Sequence, residues 1–201
     1  MAGALGNDLA VLITEIDANI SHAESLAAGL SREQFNWRPA PGRWSIGQCL
    51  AHLNTVNGGD LAPLKAAIES GIARRQTGEG PFTYGLLSRK FIASMEPPSK
   101  RKFKAPAYYQ PPPAVEPAPT LVEYRRIAAE IRKLAQSAAG LHLARVKTSL
   151  PALPAILRAL VKMPLGARFE ALAAHDRRHL WQAEEIRNDP AFPAVRNSAP
   201  A

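Results

Sequence analysis

Five histidines are the first residues to weigh for chemistry: His22, His52, His142, His175 and His179. His175 and His179 lie four apart in a stretch where Leu172, Ala183 and Ile186 recur at helical spacing. Positions i and i+4 stack on one helix face about one turn apart, so both imidazoles point to the inward face or its shoulder. A polar ring inside a core is costly without a partner. A divalent ion bound by both rings would supply one, with neutral imidazole nitrogens about 2.0–2.1 Å from a zinc ion. His52 has the same character, with Cys49 and Val56 as its neighbours on an apolar helix face. Three protein ligands and an open position form the pattern of a catalytic metal rather than a closed structural one. The competing reading of the same three residues is histidines satisfied within a core.

The other candidates are weaker. His22 falls off the apolar stripe of its helix and reads as solvated, and His142 follows Gly140 in a loop. Cys49, three residues before His52, either reaches the metal as a fourth ligand or is a small buried hydrophobe. Gln48 and Gln182 each sit within a turn of a histidine. They either orient a metal-bound water or are polar residues at a helix boundary. Asp176 is placed to accept the free N–H of a ligand imidazole; a salt bridge to Arg125 or another basic residue is the alternative.

Four helical patterns must position these residues. The first runs from Asn7 to Leu30, with Leu9, Leu12, Ile13, Ile16 and Ile20 on its stripe. The second begins at Ser45, where Ser45 and Gln48 spell a capping box, and Gly58-Gly59 is expected to bend or interrupt it. The third opens at a Thr120/Glu123 capping box and ends at Gly140. The fourth runs from about Gly166 to Arg187, before Pro190. Short helices are expected around Tyr84 to Met95 and Ala155 to Val161. Eight of the 18 prolines fall between Pro97 and Pro119, so the connection from the second helix to the third reads as a long extended crossover. A crossover of that length lets the two helices run parallel. No run of alternating strands stands out, and neither a repeat nor a domain boundary is seen. The fold class is all-α, a four-helix bundle in a single domain over residues 1–201, with its core at about 7–190 and a loose tail at 191–201.

Composition narrows the setting. The chain has 201 residues, 46% hydrophobic and 21% charged, which excludes a fibrous or wholly disordered chain. No stretch approaches the roughly 18–20 apolar residues that span a bilayer. The first ten residues lack a basic lead-in and carry Asp8, which does not read as a signal peptide. The single cysteine excludes an internal disulfide framework. A cytoplasmic protein is expected. The net charge of +8 comes from 25 Lys and Arg against 17 Asp and Glu. The only dense run is Lys100-Arg101-Lys102-Phe103-Lys104, with Tyr108 and Tyr109 nearby. That is thin support for stacking bases, so nucleic acid is not the expected partner.

Two stretches resemble a known family. Trp37-Arg38-Pro39, then Gly42-Arg43-Trp44-Ser45-Ile46-Gly47-Gln48 and His52-Leu53, are similar to a W-x-P … W-S-[IV] … H-[LI] pattern. His175-Asp176-Arg177-Arg178-His179-Leu180-Trp181-Gln182 is similar to H-x-x-x-H-x-x-Q. Both belong to the DinB-like (DinB/YfiT) superfamily of metal-binding four-helix bundles, and the likeness spans about residues 7–190. The resemblance implies an up-up-down-down bundle and a metal held by His52, His175 and His179. The ion would be zinc or nickel, or else iron or manganese. Trp37 and Trp44 would be largely structural. Some members are thiol S-transferases, one branch isomerises maleylpyruvate with mycothiol, others are called metal-dependent hydrolases, and many have no known activity. The long Pro-rich crossover and the basic run depart from the family pattern.

These readings lead to a metal-dependent enzyme acting on a small-molecule substrate, first as a thiol S-transferase with a low-molecular-weight thiol as cosubstrate. Arg177 or Arg178 would attract that thiol's carboxylates. A hydrolase activating water at the same ion is the second reading, and a non-enzymatic metal-binding, stress-associated protein the third. Bundles of this kind often expose an apolar strip, and a homodimer is the expected assembly.

Overall fold

In the computed structural model of the chain, which describes residues 6–98 and 105–194, all four apolar stripes form helices. They are α1 (Asn7–Ala27), α3 (Ile46–Ala73), α5 (Pro117–Ser137) and α7 (Leu165–Arg187). Shorter helices join them: α2 (Arg32–Asn36), α4 (Leu86–Met95) and α6 (Ala155–Leu160). The chain is mostly helical. Helix α2, in a stretch that reads as a loop after Ser31, is not among the expected elements, and neither is a small antiparallel ribbon, β1 (Lys147–Ser149) against β2 (Lys162–Pro164), with Thr148 opposite Met163. Three-residue strands carry too little alternation to register as a period-2 signal. The basic run at 100–104 and the end of the tail lie outside the described residues.

Capping chemistry explains two of the starts. The Ser45 side chain accepts from the Gln48 backbone N–H, and Gln48 Oε1 accepts from the Ser45 N–H. A second box of the same kind, Ser31 with Gln34, opens α2. The Thr120/Glu123 box does not form. Helix α5 begins earlier, with Pro117 in its first turn, where proline's missing N–H costs nothing. Thr120 instead bonds back to the Glu116 carbonyl, and Glu123 pairs with Arg126. Nor does Gly58-Gly59 interrupt the second helix. Helix α3 runs unbroken through it and through Pro63 for 28 residues. Gly58 faces Ile127 of α5, so packing across that seam holds the backbone helical where propensity alone would not.

Helices α1 and α3 hold opposite corners, each packed against both α5 and α7. Residue pairs across the seams give the directions. Glu15 meets Arg177 and His22 meets Glu184, so α1 and α7 run the same way. Asn54 bonds the Thr120 carbonyl and Gly58 faces Ile127, so α3 and α5 also run the same way. Glu24 pairs with Arg125 and Asp17 with Arg132, which sets α1 against α5. The parallel second and third long helices therefore stand, but the up-up-down-down order does not. The observed pairings correspond to up-down-down-up, because the Pro-rich crossover returns the chain to the end where α3 began.

Two large apolar clusters fill the bundle among the described residues, and a small third one gathers Met163, Ala167 and Ala171. Of the large ones, the first gathers Leu9, Leu12, Ile16, Leu64, Ile131 and Phe169 at one end; the second gathers Phe35, Ile46, Cys49, Leu50, Leu53 and Leu180 at the other. Gly47 shows how tight the second is. A Cβ there would lie 2.7 Å from the Phe35 ring and from Val115. Gly47→Ala is expected to lower unfolding stability by about 1–3 kcal/mol, the usual cost of overpacking, read by urea denaturation.

Candidate metal centre

His52 sits two turns into α3, fixed by the cap at Ser45. His175 and His179 project from α7, and the three rings meet on the α3/α7 seam. One ligand-capable nitrogen from each lies within 4.8 Å of the other two. His175 Nε2 and His179 Nε2 are 3.2 Å apart. Two nitrogens at about 2.0–2.1 Å from one tetrahedral ion are themselves about 3.3–3.4 Å apart, so the spacing fits a shared ion. Two facing Nε2 atoms can share a single proton, and the Nδ1 atoms of both rings are buried without a partner. His52 is better ordered: its Nδ1–H donates to the Tyr109 carbonyl at 2.8 Å, which leaves the Nε2 lone pair for a metal.

The surroundings keep these rings neutral. Burial pulls His175 down to about 3, helped by His52, Arg168 and Arg178. Burial also lowers His52, against an opposing pull from its bond to Tyr109, and drives His179 well below its ordinary value. A neutral imidazole is the form that binds a metal. Trp44 closes one side, its ring centroid 4.8 Å from that of His52 and 5.5 Å from that of His179. It both precedes the α3 cap and walls the cluster, more than the structural anchor that the resemblance implies.

The other expected site residues fall in different places. Cys49 is fully buried in the second apolar cluster, where burial pushes its thiol up, and it is not part of the histidine cluster. Three residues turn a helix by about 300°, so Cys49 and His52 lie about 60° apart around α3, and only His52 joins the histidine cluster. Gln48 spends its side chain on the Ser45 cap and on the Pro112 carbonyl, although it lines the cleft beside the histidines. Gln182 lies within hydrogen-bonding reach of His179. Asp176 accepts neither an imidazole N–H nor Arg125. Its oxygens accept from Asn57 Nδ2 at 2.8 Å and the Tyr124 hydroxyl at 3.0 Å. Burial pushes Asp176 up to about 6 despite those bonds. Arg125 pairs with Glu24. Arg177 turns away from the cluster to Glu15 and Glu96, whereas Arg178 lines the cleft. His22 pairs at 3.7 Å with Glu184 at the surface, and His142 packs on Phe82.

The histidines open onto a cleft of about 930 Å³. Its walls are apolar and aromatic, with Trp44, Phe91, Tyr109, Leu172 and Trp181 among them. Its charged residues are Arg38, Arg43, Arg168 and Arg178, and no carboxylate lines it among the described residues. The Pro-rich crossover supplies Pro106, Tyr109 and Gln110, so this segment forms one wall of the cleft and is more than a connection. Tyr109, Trp181 and Arg168 were not legible as site residues. Arg168 had a signal, since it lies seven residues before His175 and so on the same helix face.

A second, smaller cavity of about 300 Å³ gathers Asp8, Glu15, Glu96, Glu170 and Arg177. Burial raises Glu170, and the neighbouring Glu15 and Asp8 raise it further. Its folded-state value lies above its unfolded one, so the ionised form costs stability as pH rises through it. Glu170→Gln is expected to stabilise the fold at pH 8, with the gain vanishing near pH 3, where both states hold the proton. Thermal unfolding at the two pH values checks this.

Residues 15–183 match the sequence model of the family described as the DinB superfamily. No curated protein and no solved structure matches the chain.

Proposed function

The chain belongs to the DinB superfamily, and from that premise we propose that it is a metal-dependent thiol S-transferase whose divalent ion is held by His52, His175 and His179. Zinc and nickel suit three neutral imidazoles best, with iron and manganese also compatible. The observation that carries the reading is the pairing of this three-histidine cluster with a cleft that has no carboxylate among its described lining residues. Metalloproteases of the H-E-x-x-H kind add a carboxylate beside the ion as general base for the attacking water. A thiol has less need of one, since its pKa of about 8.5 is already close to neutrality.

A bound ion would supply Lewis acidity that lowers the pKa of a cosubstrate thiol. The chain's own residues do the rest. Tyr109 and Trp44 hold His52 and the α3 end of the cluster in place. The apolar walls exclude water and receive the electrophile. The thiolate sulfur attacks an electrophilic carbon, the C–S bond forms, and the leaving group departs with the electron pair of the bond it loses. The thiol proton passes to solvent through the open cleft.

The test is turnover of an activated aryl chloride with glutathione, cysteine and other small thiols, by protein loaded in turn with each candidate metal. Thiol-dependent, metal-dependent product supports the reading. Metal-dependent hydrolysis of esters without any thiol replaces it with water activation.

A further inference from the structure

Arg168 is the one guanidinium of the cleft that is built into the core. It is 7% exposed, and its partner Asp60 is fully buried. Arg168 Nε donates to Asp60 Oδ1 at 2.7 Å and Nη2 donates to Oδ2, a two-point fork. That fork fixes the plane of the guanidinium and removes its rotational freedom. Its third nitrogen, Nη1, makes no hydrogen bond among the described residues, and the side chain lines the cleft two turns along α7 from His175. Burying such a pair brings little net stability. Holding one donor edge rigid in a cleft is what a binding site requires. Arg38 and Arg43, which line the same cleft, are exposed, and aromatic side chains line it with them.

We propose that Arg168, held by Asp60, is an anion subsite that selects a ligand carrying a carboxylate on a flat apolar body. This rests on reading the cleft as a substrate site but not on the presence of the metal. The two are therefore separable in an experiment on metal-free protein. The carboxylate could belong to the electrophile or to the thiol, and the same experiment tells them apart.

The measurement is calorimetric titration of the metal-free protein with 2-naphthoate and with its neutral counterpart 2-naphthamide. The native protein is expected to prefer the carboxylate by about tenfold, as one charge-assisted contact supplies. Arg168→Met alone would strand the buried Asp60 charge, so it is combined with Asp60→Leu. An apolar replacement of a whole buried pair is commonly tolerated. With folding checked by circular dichroism, this double variant should lose most of the preference. Arg43→Gln, at an exposed position, should lower it by only about twofold. Displacement of naphthoate by glutathione assigns the subsite to the thiol, and no displacement assigns it to the electrophile; both support it. Equal binding of the two probes by the native protein, or an undiminished preference in the folded double variant, overturns the proposal, whatever the thiol-transfer assay shows.

Discussion

Metal loading is expected to raise the unfolding temperature sharply. A ligand that binds only the folded state stabilises it by about 4 kcal/mol at roughly a thousand times its Kd. For a chain of this size that is a shift of about 8–16 °C, at about 2–4 °C per kcal/mol. The expectation follows from the convergence of three ligand nitrogens at the cluster. His175 and His179 place their Nε2 atoms 3.2 Å apart, and their buried Nδ1 atoms lack partners. An ion held by these two Nε2 atoms and by His52 would make a stabilising centre tying α3 to α7. Differential scanning calorimetry with and without zinc or nickel reads the shift. His52→Ala, His175→Ala and His179→Ala should each abolish most of it; His52→Ala should also lower the metal-free unfolding temperature, because it gives up the buried bond to the Tyr109 carbonyl. A shift that survives all three substitutions would place the ion elsewhere.

The second large effect is expected at Asp60. Asp60→Ala leaves the Arg168 guanidinium buried without its carboxylate, and breaking a buried pair from one side costs about 3–5 kcal/mol. The combined Asp60→Leu and Arg168→Met variant should recover most of that loss, because it removes both desolvated charges together. Urea denaturation of the three proteins decides the matter. A loss below about 1 kcal/mol for Asp60→Ala would mean that Arg168 swings into the cleft and hydrates. The rigidity on which the anion subsite depends would then be gone.

Much of this architecture was legible in the chain. The stripes of α1, α3, α5 and α7 announce themselves through three- and four-residue recurrence, and the Ser45/Gln48 box marks the start of α3 within a residue. His52, His175 and His179 stood out because each is a polar ring on an apolar helix face. Other features depend on tertiary context that periodicity does not encode. Cys49 and His52 lie only about 60° apart around α3, yet one belongs to an apolar cluster and the other to the histidine cluster. Asp176 looked like an imidazole partner from its place beside His175. The residues that satisfy it, Asn57 and Tyr124, come from two other helices. Tyr109 was hidden most deeply, because it acts through its backbone carbonyl. Any residue type has a carbonyl, so only the path of the crossover could show its role.

Elemental mass spectrometry reads out whether His52, His175 and His179 hold a metal ion. The native protein and its His175→Ala variant would be purified and reconstituted in parallel with zinc, nickel, iron and manganese, then dialysed and measured. Close to one ion per native chain is expected with at least one of these metals, and almost none in the variant. No retained metal in the native protein with any of the four would contradict this, and His52, His175 and His179 would then be core residues that share protons rather than an ion.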